Sequence, residues 1–106
     1  MQRQLGVNTW VWVSPLRDAG LERLARRANE IGYGLLELPV ESPGDWDPAR
    51  AGETPGELRM GARVVGAMGP GRDLIDDAHR AATQDSLRHC VDGAVRVGSP
   101  TVAGPF

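Results

Sequence analysis

Apolar residues follow two alternating rhythms along this chain. Four runs of strand length, Leu5 to Val13, Leu35 to Val40, Ala62 to Ala67 and Thr101 to Ala103, are separated by segments with helical periodicity. The first run is rich in Val, Thr and Trp, which suit a pleated, partly buried surface. Leu21, Leu24, Ala25, Ala28 and Ile31 then recur at three- and four-residue steps. They predict one apolar helix stripe, with Glu22, Arg23, Arg26, Arg27 and Glu30 on the other faces and Gly32 and Gly34 as terminators. After the second run, Pro43-Gly44-Asp45 predicts a turn, and Asp47-Pro48 predicts an N-cap followed by proline at the first helical position. Gly52, Pro55 and Gly56 limit any helix there to about two turns. The third run ends in Met68-Gly69-Pro70-Gly71-Arg72-Asp73. A long helix is predicted over 77–97, with Leu87, Cys90, Val91, Ala94 and Val95 as its apolar stripe and Gly98-Ser99-Pro100 as its stop.

Strand starts near 5, 35, 62 and 101 give one βα unit per roughly 30–40 residues, the rhythm of a parallel α/β sheet. A chain of 106 residues accommodates one domain. A flavodoxin-like domain shares this rhythm but would need a phosphate-binding loop after strand one. Val13-Ser14-Pro15-Leu16 has no glycine and a single hydroxyl.

Composition removes several function classes. Hydrophobic content of 41% with 25% charged residues is that of a foldable globular chain rather than a disordered one. A net charge of −2 supplies no electrostatic footprint for nucleic acid or an anionic membrane, so neither is an expected partner. The lone Cys90 can form no internal disulfide, and the first apolar run is too short for a signal segment or a membrane span. A cytoplasmic protein is the expectation. His89 and Cys90 are adjacent and point about 100° apart on a helix, which is wrong for joint zinc ligation. Cys90 is expected to be a small buried hydrophobe, and His79 and His89 surface residues.

Four segments in order resemble the xylose isomerase-like sugar phosphate isomerase/epimerase superfamily, in particular the D-tagatose and D-psicose 3-epimerases. They are Gly-Val-Asn-Thr-Trp-Val-Trp (Gly6 to Trp12) with Ser14-Pro15-Leu16, Ile-Gly-Tyr-Gly-Leu-Leu-Glu-Leu-Pro (Ile31 to Pro39), Gly66 to Leu74 with Arg80 to Asp92, and Val97 to Pro105. The resemblance implies a partial (β/α)₈ TIM barrel of about three and a half βα units, the whole of residues 1–106 being its N-terminal part. A complete barrel needs roughly 250 residues. It further implies ketose/aldose isomerisation or C3 epimerisation in carbohydrate metabolism, with a small-molecule sugar as substrate. Complete members hold a divalent metal (Mn²⁺, Mg²⁺ or Co²⁺) on two Glu, one Asp and one His, all at positions matching residues beyond Phe106. No catalytic or metal-ligating residue carries over, no cofactor is expected in this chain, and enzymatic activity of this chain is left open. The short, broken segment 51–61 departs from the family, which has a full second helix there.

The resemblance and the barrel rule that chemistry sits at the C-terminal strand ends select the candidate substrate-binding residues. Asn8, Trp10 and Trp12 alternate along strand one and would share its inner side, indoles packing on sugar C–H faces and the amide bonding hydroxyls. The competing expectation is that both rings fill the barrel core. Glu37, Pro39 and Glu41 share a face of strand two. Glu37 is either a sugar-hydroxyl acceptor or the ion-pair partner of Arg63, because an inward carboxylate needs compensation. In the loop after strand three, Met68 and Gly69 would line the pocket and Arg72 would meet a phosphate or carboxylate, although a tight turn explains the glycines equally well. Gly104 ends strand four. The alternative function is a non-catalytic half-barrel or interaction module, forming homo-oligomers through its open edges.

Overall fold

The computed structural model describes residues 4–105. Four strands form one fully parallel sheet in sequential order: β1 (Gly6–Asn8), β2 (Leu35–Val40), β3 (Gly61–Gly66) and β4 (Val102–Ala103). The connections contain α1 (Asp18–Ile31), the short α2 (Pro48–Ala51) and α3 (Glu53–Glu57), and α4 (Arg80–Val97). Sequential parallel order with crossovers of one hand puts successive helices on the same side of the sheet, as in an arc of a barrel.

The core lies on that helix side. Val7, Leu36, Leu38, Val40, Ala62 and Val64 point into it and meet Leu21, Leu24, Ala25 and Ala28 of α1, Ala51 of α2, and Cys90 and Ala94 of α4. Alternation along the strands therefore sends Gly6 and Asn8, then Leu35, Glu37 and Pro39, then Gly61, Arg63 and Val65, to the inner side. Cross-strand register aligns Asn8, Glu37 and Arg63 in one row, and Gly6, Leu35 and Gly61 in the row beneath it.

The local signals hold at most boundaries. Gly32 and Gly98 adopt left-handed conformations at the ends of α1 and α4 (φ 115° and 75°), and Asp47 caps α2 by accepting from Ala49 N at 2.9 Å. The predicted break of the second helix is real: the connection folds as two short helices.

Three expectations are corrected. Strand one ends at Asn8, not Val13. The Asn8 side chain accepts from Trp10 N at 2.9 Å and turns the chain into a 3₁₀ helix at Thr9–Val11, so local side-chain bonding wins over the ladder. Ile31, at the edge of the α1 stripe, is 52% exposed. On α4 the buried face is Thr83, Ser86, Cys90, Gly93 and Ala94, while Val91 and Val95 are exposed. The buried stripe is rotated by roughly 80° from the apolar one, measured at 100° per residue. Gly93 on this face looks onto Trp46, where a Cβ would stand 3.6 Å from the ring, an ordinary contact distance.

Candidate functional site

Polar side chains gather on the inner face, at the end of β1 and the middle of β2 and β3, and at the rim formed by the segments that follow these strands. Asn8 Nδ2 donates to Glu37 Oε2 at 3.1 Å across the β1–β2 pair. That bond compensates the inner-face carboxylate. Arg63, the register partner of Glu37 on β3, instead donates from Nη1 to the Ala62 carbonyl at 2.9 Å. No Glu37–Arg63 ion pair forms among the described residues.

At the end of β2, Glu41 is held from four directions. Its Oε2 accepts from Trp10 Nε1 at 3.2 Å and from Ser14 Oγ at 2.7 Å. Its backbone N–H donates to Asp45 Oδ2 at 3.0 Å, and its carbonyl accepts from Arg72 Nη2 at 2.7 Å. Asp45 is itself buried, also accepts from Ser42 N, and lies 3.7 Å from Arg17. Glu41 and Ser14 were not among the site residues expected from sequence. The alternation that groups Glu41 with Glu37 was a usable signal. The approach of Ser14 depends on the 3₁₀ turn and was not legible.

The tryptophans part company. Trp10 sits at the rim with its indole N–H on Glu41. Trp12 lines a cleft with Val13, Arg23, Leu24 and Arg27 against α1, so it does not join Asn8 and Trp10 as strand alternation predicted. The 3₁₀ turn at Thr9–Val11 removes the two-residue period on which a shared face of Asn8, Trp10 and Trp12 rested. The core tryptophan is the third one: Trp46 is 4% exposed and donates to the Pro39 carbonyl at 2.8 Å.

The loop after β3 is a turn closed by Arg72 N to Gly69 O at 3.1 Å, with Pro70 second and Gly71 third at φ 79°. That is the arrangement of a type II turn. Gly69 makes room for an arginine: a Cβ there would stand 2.8 Å from Arg72 Nη2. Arg72 reaches back to Glu41, tying this loop to β2, and Met68 is half-buried beside it. Downstream, Asp73 Oδ1 accepts from Ile75 N and Asp76 N, and its Oδ2 bonds His79 Nδ1 at 2.5 Å. Thr83 exchanges two hydrogen bonds with the Asp73 backbone. The backbone N–H of Asp76, the His79 ring and the N–H of Ile75 lower the Asp73 carboxyl to about 2, and the hydrogen bond that the imidazole makes to Asp73 raises His79. His79 is thus half-buried and bonded rather than a plain surface residue. Cys90 is fully buried, and burial raises its thiol. Gly104 lies exposed beyond β4.

Among the described residues no three His, Cys, Asp or Glu side chains converge on a common point. This donor set does not fit the four-ligand metal centre implied by the resemblance. No helix among them is long and apolar enough to cross a membrane.

No protein-family model and no curated protein matches this sequence. Solved structures do match. An L-ribulose 3-epimerase superposes with a TM-score of 0.84 at 23% identity, over 97% of this chain and 35% of that one. A D-allulose 3-epimerase from Methylomonas sp., in complex with D-allulose, gives 0.82 at 22% identity over 97% and 37%. A second structure of the Methylomonas sp. enzyme, with additional C-terminal residues, gives 0.84 at 21% identity over 95% and 36%. The chain therefore spans little more than a third of the length of these structures, and its fold is that of a partial (β/α)₈ barrel.

Proposed function

We propose that residues 1–106 form one unit, the N-terminal part of a xylose isomerase-like barrel, and supply one wall of a sugar pocket in a cytoplasmic isomerase or epimerase. The observation that carries this reading is the polar inner face and the rim above it: Asn8 at the end of β1 bonded to mid-strand Glu37 at 3.1 Å, and the Trp10 indole bonded to Glu41 just past β2, on the side where barrel enzymes bind substrate. An amide, carboxylates and an aromatic face are the groups that read hydroxyls and C–H surfaces of a polyol. Met68 and Gly69 extend the wall across β3, and Gly104 marks its far edge. Arg72 acts by tying the Met68–Gly69 loop to β2. Trp12 is left out of the wall.

The reaction of this class removes a proton beside a carbonyl and returns it on the other face or on a neighbouring carbon. In complete members of that class a divalent metal (Mn²⁺, Mg²⁺ or Co²⁺) would supply Lewis-acid stabilisation of developing charge. The part this chain's residues take in that reaction is binding and orientation of the sugar. Loss of a metal removes several kcal/mol of charge stabilisation, and each 1.4 kcal/mol is about tenfold in rate. The test is ketose C3 epimerisation by the 106-residue chain with added Mn²⁺. The expected result is no turnover; turnover like that of a full-length epimerase would refute this division of labour.

A second reading, a non-catalytic half-barrel that pairs with another copy, is favoured by one observation. β1 and β4 are the outer strands of the sheet, and Val91 and Val95 beside β4 are 51% and 75% exposed. Light scattering during size exclusion decides: a stable dimer supports this reading, and a well-folded monomer counts against it.

A further inference from the structure

Glu41 is over-determined for a residue at a surface rim. Its backbone is fixed at both ends, N–H on Asp45 and carbonyl on Arg72, and its side chain is fixed by two donors that share a single oxygen, Oε2. Among the described residues no donor reaches Oε1. The result is a carboxylate held still, half-exposed, with one oxygen open beside the partly exposed ring of Trp10. Trp10 from the 3₁₀ turn and Ser14 from the following loop orient the carboxylate, and Arg72 from the loop after β3 holds the backbone that carries it.

Resting on the sugar-wall reading, we propose that Glu41 is a further substrate-binding residue, accepting a sugar hydroxyl on Oε1 while the same sugar packs its C–H face on the Trp10 indole. A pre-positioned carboxylate suits this role, because charge-assisted hydrogen bonds are the stronger ones and no side-chain freedom is lost on binding. Ser14 is a positioning residue that holds Oε2 so that Oε1 faces outward. The carboxylate also disfavours an anionic group at the same place. A phosphorylated sugar therefore finds a poorer fit there than the free sugar.

The experiment titrates the 106-residue chain with D-allulose and, separately, with D-allulose 6-phosphate, following the Trp10 indole N–H resonance, assigned by its loss in Trp10→Phe. The expected result is a saturable shift with the free sugar and a weaker one with the phosphate. Glu41→Ala should weaken free-sugar binding about tenfold or more, the scale of one hydrogen bond to a charged group. Glu41→Gln, which keeps the shape and an acceptor, should bind the free sugar more tightly than Glu41→Ala and close the gap to the phosphate. Undiminished D-allulose binding by both Glu41 variants would overturn the role of Glu41 and leave the wall reading standing, as would tighter binding of the phosphate by the unaltered chain. No saturable shift at Trp10, Asn8 or Met68 with either sugar would sink the wall reading and this inference with it.

Discussion

Leu35 and Gly61 are matched as knob and notch: a Cβ on Gly61 would stand 2.4 Å from Leu35 Cδ2. On the other side of the same row, a Cβ on Gly6 would stand 3.0 Å from Leu35 Cβ. One leucine therefore occupies the inner face of three strands below the Asn8–Glu37–Arg63 row, and the two glycines exist there for space, not for unusual backbone angles. Gly61→Ala should destabilise by about 1–3 kcal/mol through overpacking. Combining it with Leu35→Ala should cost less than the sum of the two single changes, because the clash disappears with the side chain. Urea unfolding of the four proteins measures the coupling.

Thr9 has the opposite defect. Its side chain is fully buried, and its hydroxyl is the one buried side-chain polar atom without a partner among the described residues. Thr9→Val keeps the shape and removes an unsatisfied group, so the thermal midpoint should rise, by the equivalent of about 1 kcal/mol. A fall in the midpoint would show that the hydroxyl is satisfied.

Trp46 joins the end of β2 to α4 by its bond to the Pro39 carbonyl and its contact near Gly93. Trp46→Phe should lose about 1–3 kcal/mol, since it deletes the donor and leaves a buried carbonyl unpaired. Chemical denaturation checks the magnitude. Faster amide exchange in β2 checks the location.

The Asp73–His79 pair predicts two opposing pH limbs. Asp73 lies at about 2, below its usual 3.8, so its contribution is present above pH 3.8 and is lost as pH falls through about 2. His79 is raised above its usual 6.5, so its contribution is complete below pH 6.5 and is lost as pH rises through the elevated value. Stability of the segment from Asp73 to Thr83 should therefore peak between those limits. In Asp73→Asn both limbs should flatten and the His79 imidazole should titrate closer to 6.5, followed by its ring proton shifts in an NMR titration.

Gly69→Ala should displace Arg72 from the Glu41 carbonyl, because its Cβ would stand 2.8 Å from Nη2. The arginine tip is mobile, so global stability should change by less than about 1 kcal/mol. Amide exchange in the loop from Met68 to Arg72 should quicken as much as in Arg72→Ala. The double variant should be no worse than either, since both break the same tie.

Much of this architecture was written in short-range patterns. β2 emerges with the bounds its apolar run predicts, Asp47-Pro48 starts a helix, Gly32 and Gly98 end theirs, and the broken stretch after Gly52 stays broken. These features depend on residues within a few positions of each other, where backbone sterics and capping act. The site was only partly visible. Asn8 and Glu37 meet on the inner face and Trp10 sits at the rim, whereas Trp12 faces α1, Arg63 is not the partner of Glu37, and Glu41 with Ser14 emerges only in the folded chain.

What the sequence determined alone is the alternation of β and α, the parallel class and the helix ends, because these follow from apolar period and local backbone preference. Tertiary structure decided which face of α4 is buried and which donors reach Glu41. Both are set by partners distant in the chain: the small-residue face of α4, not its valines, is the one turned to Trp46, and Arg72 crosses from the β3 loop to the end of β2, whereas β1 ends by a local bond, Asn8 capturing Trp10 N two residues on. Residues that compete through space leave no period along the chain.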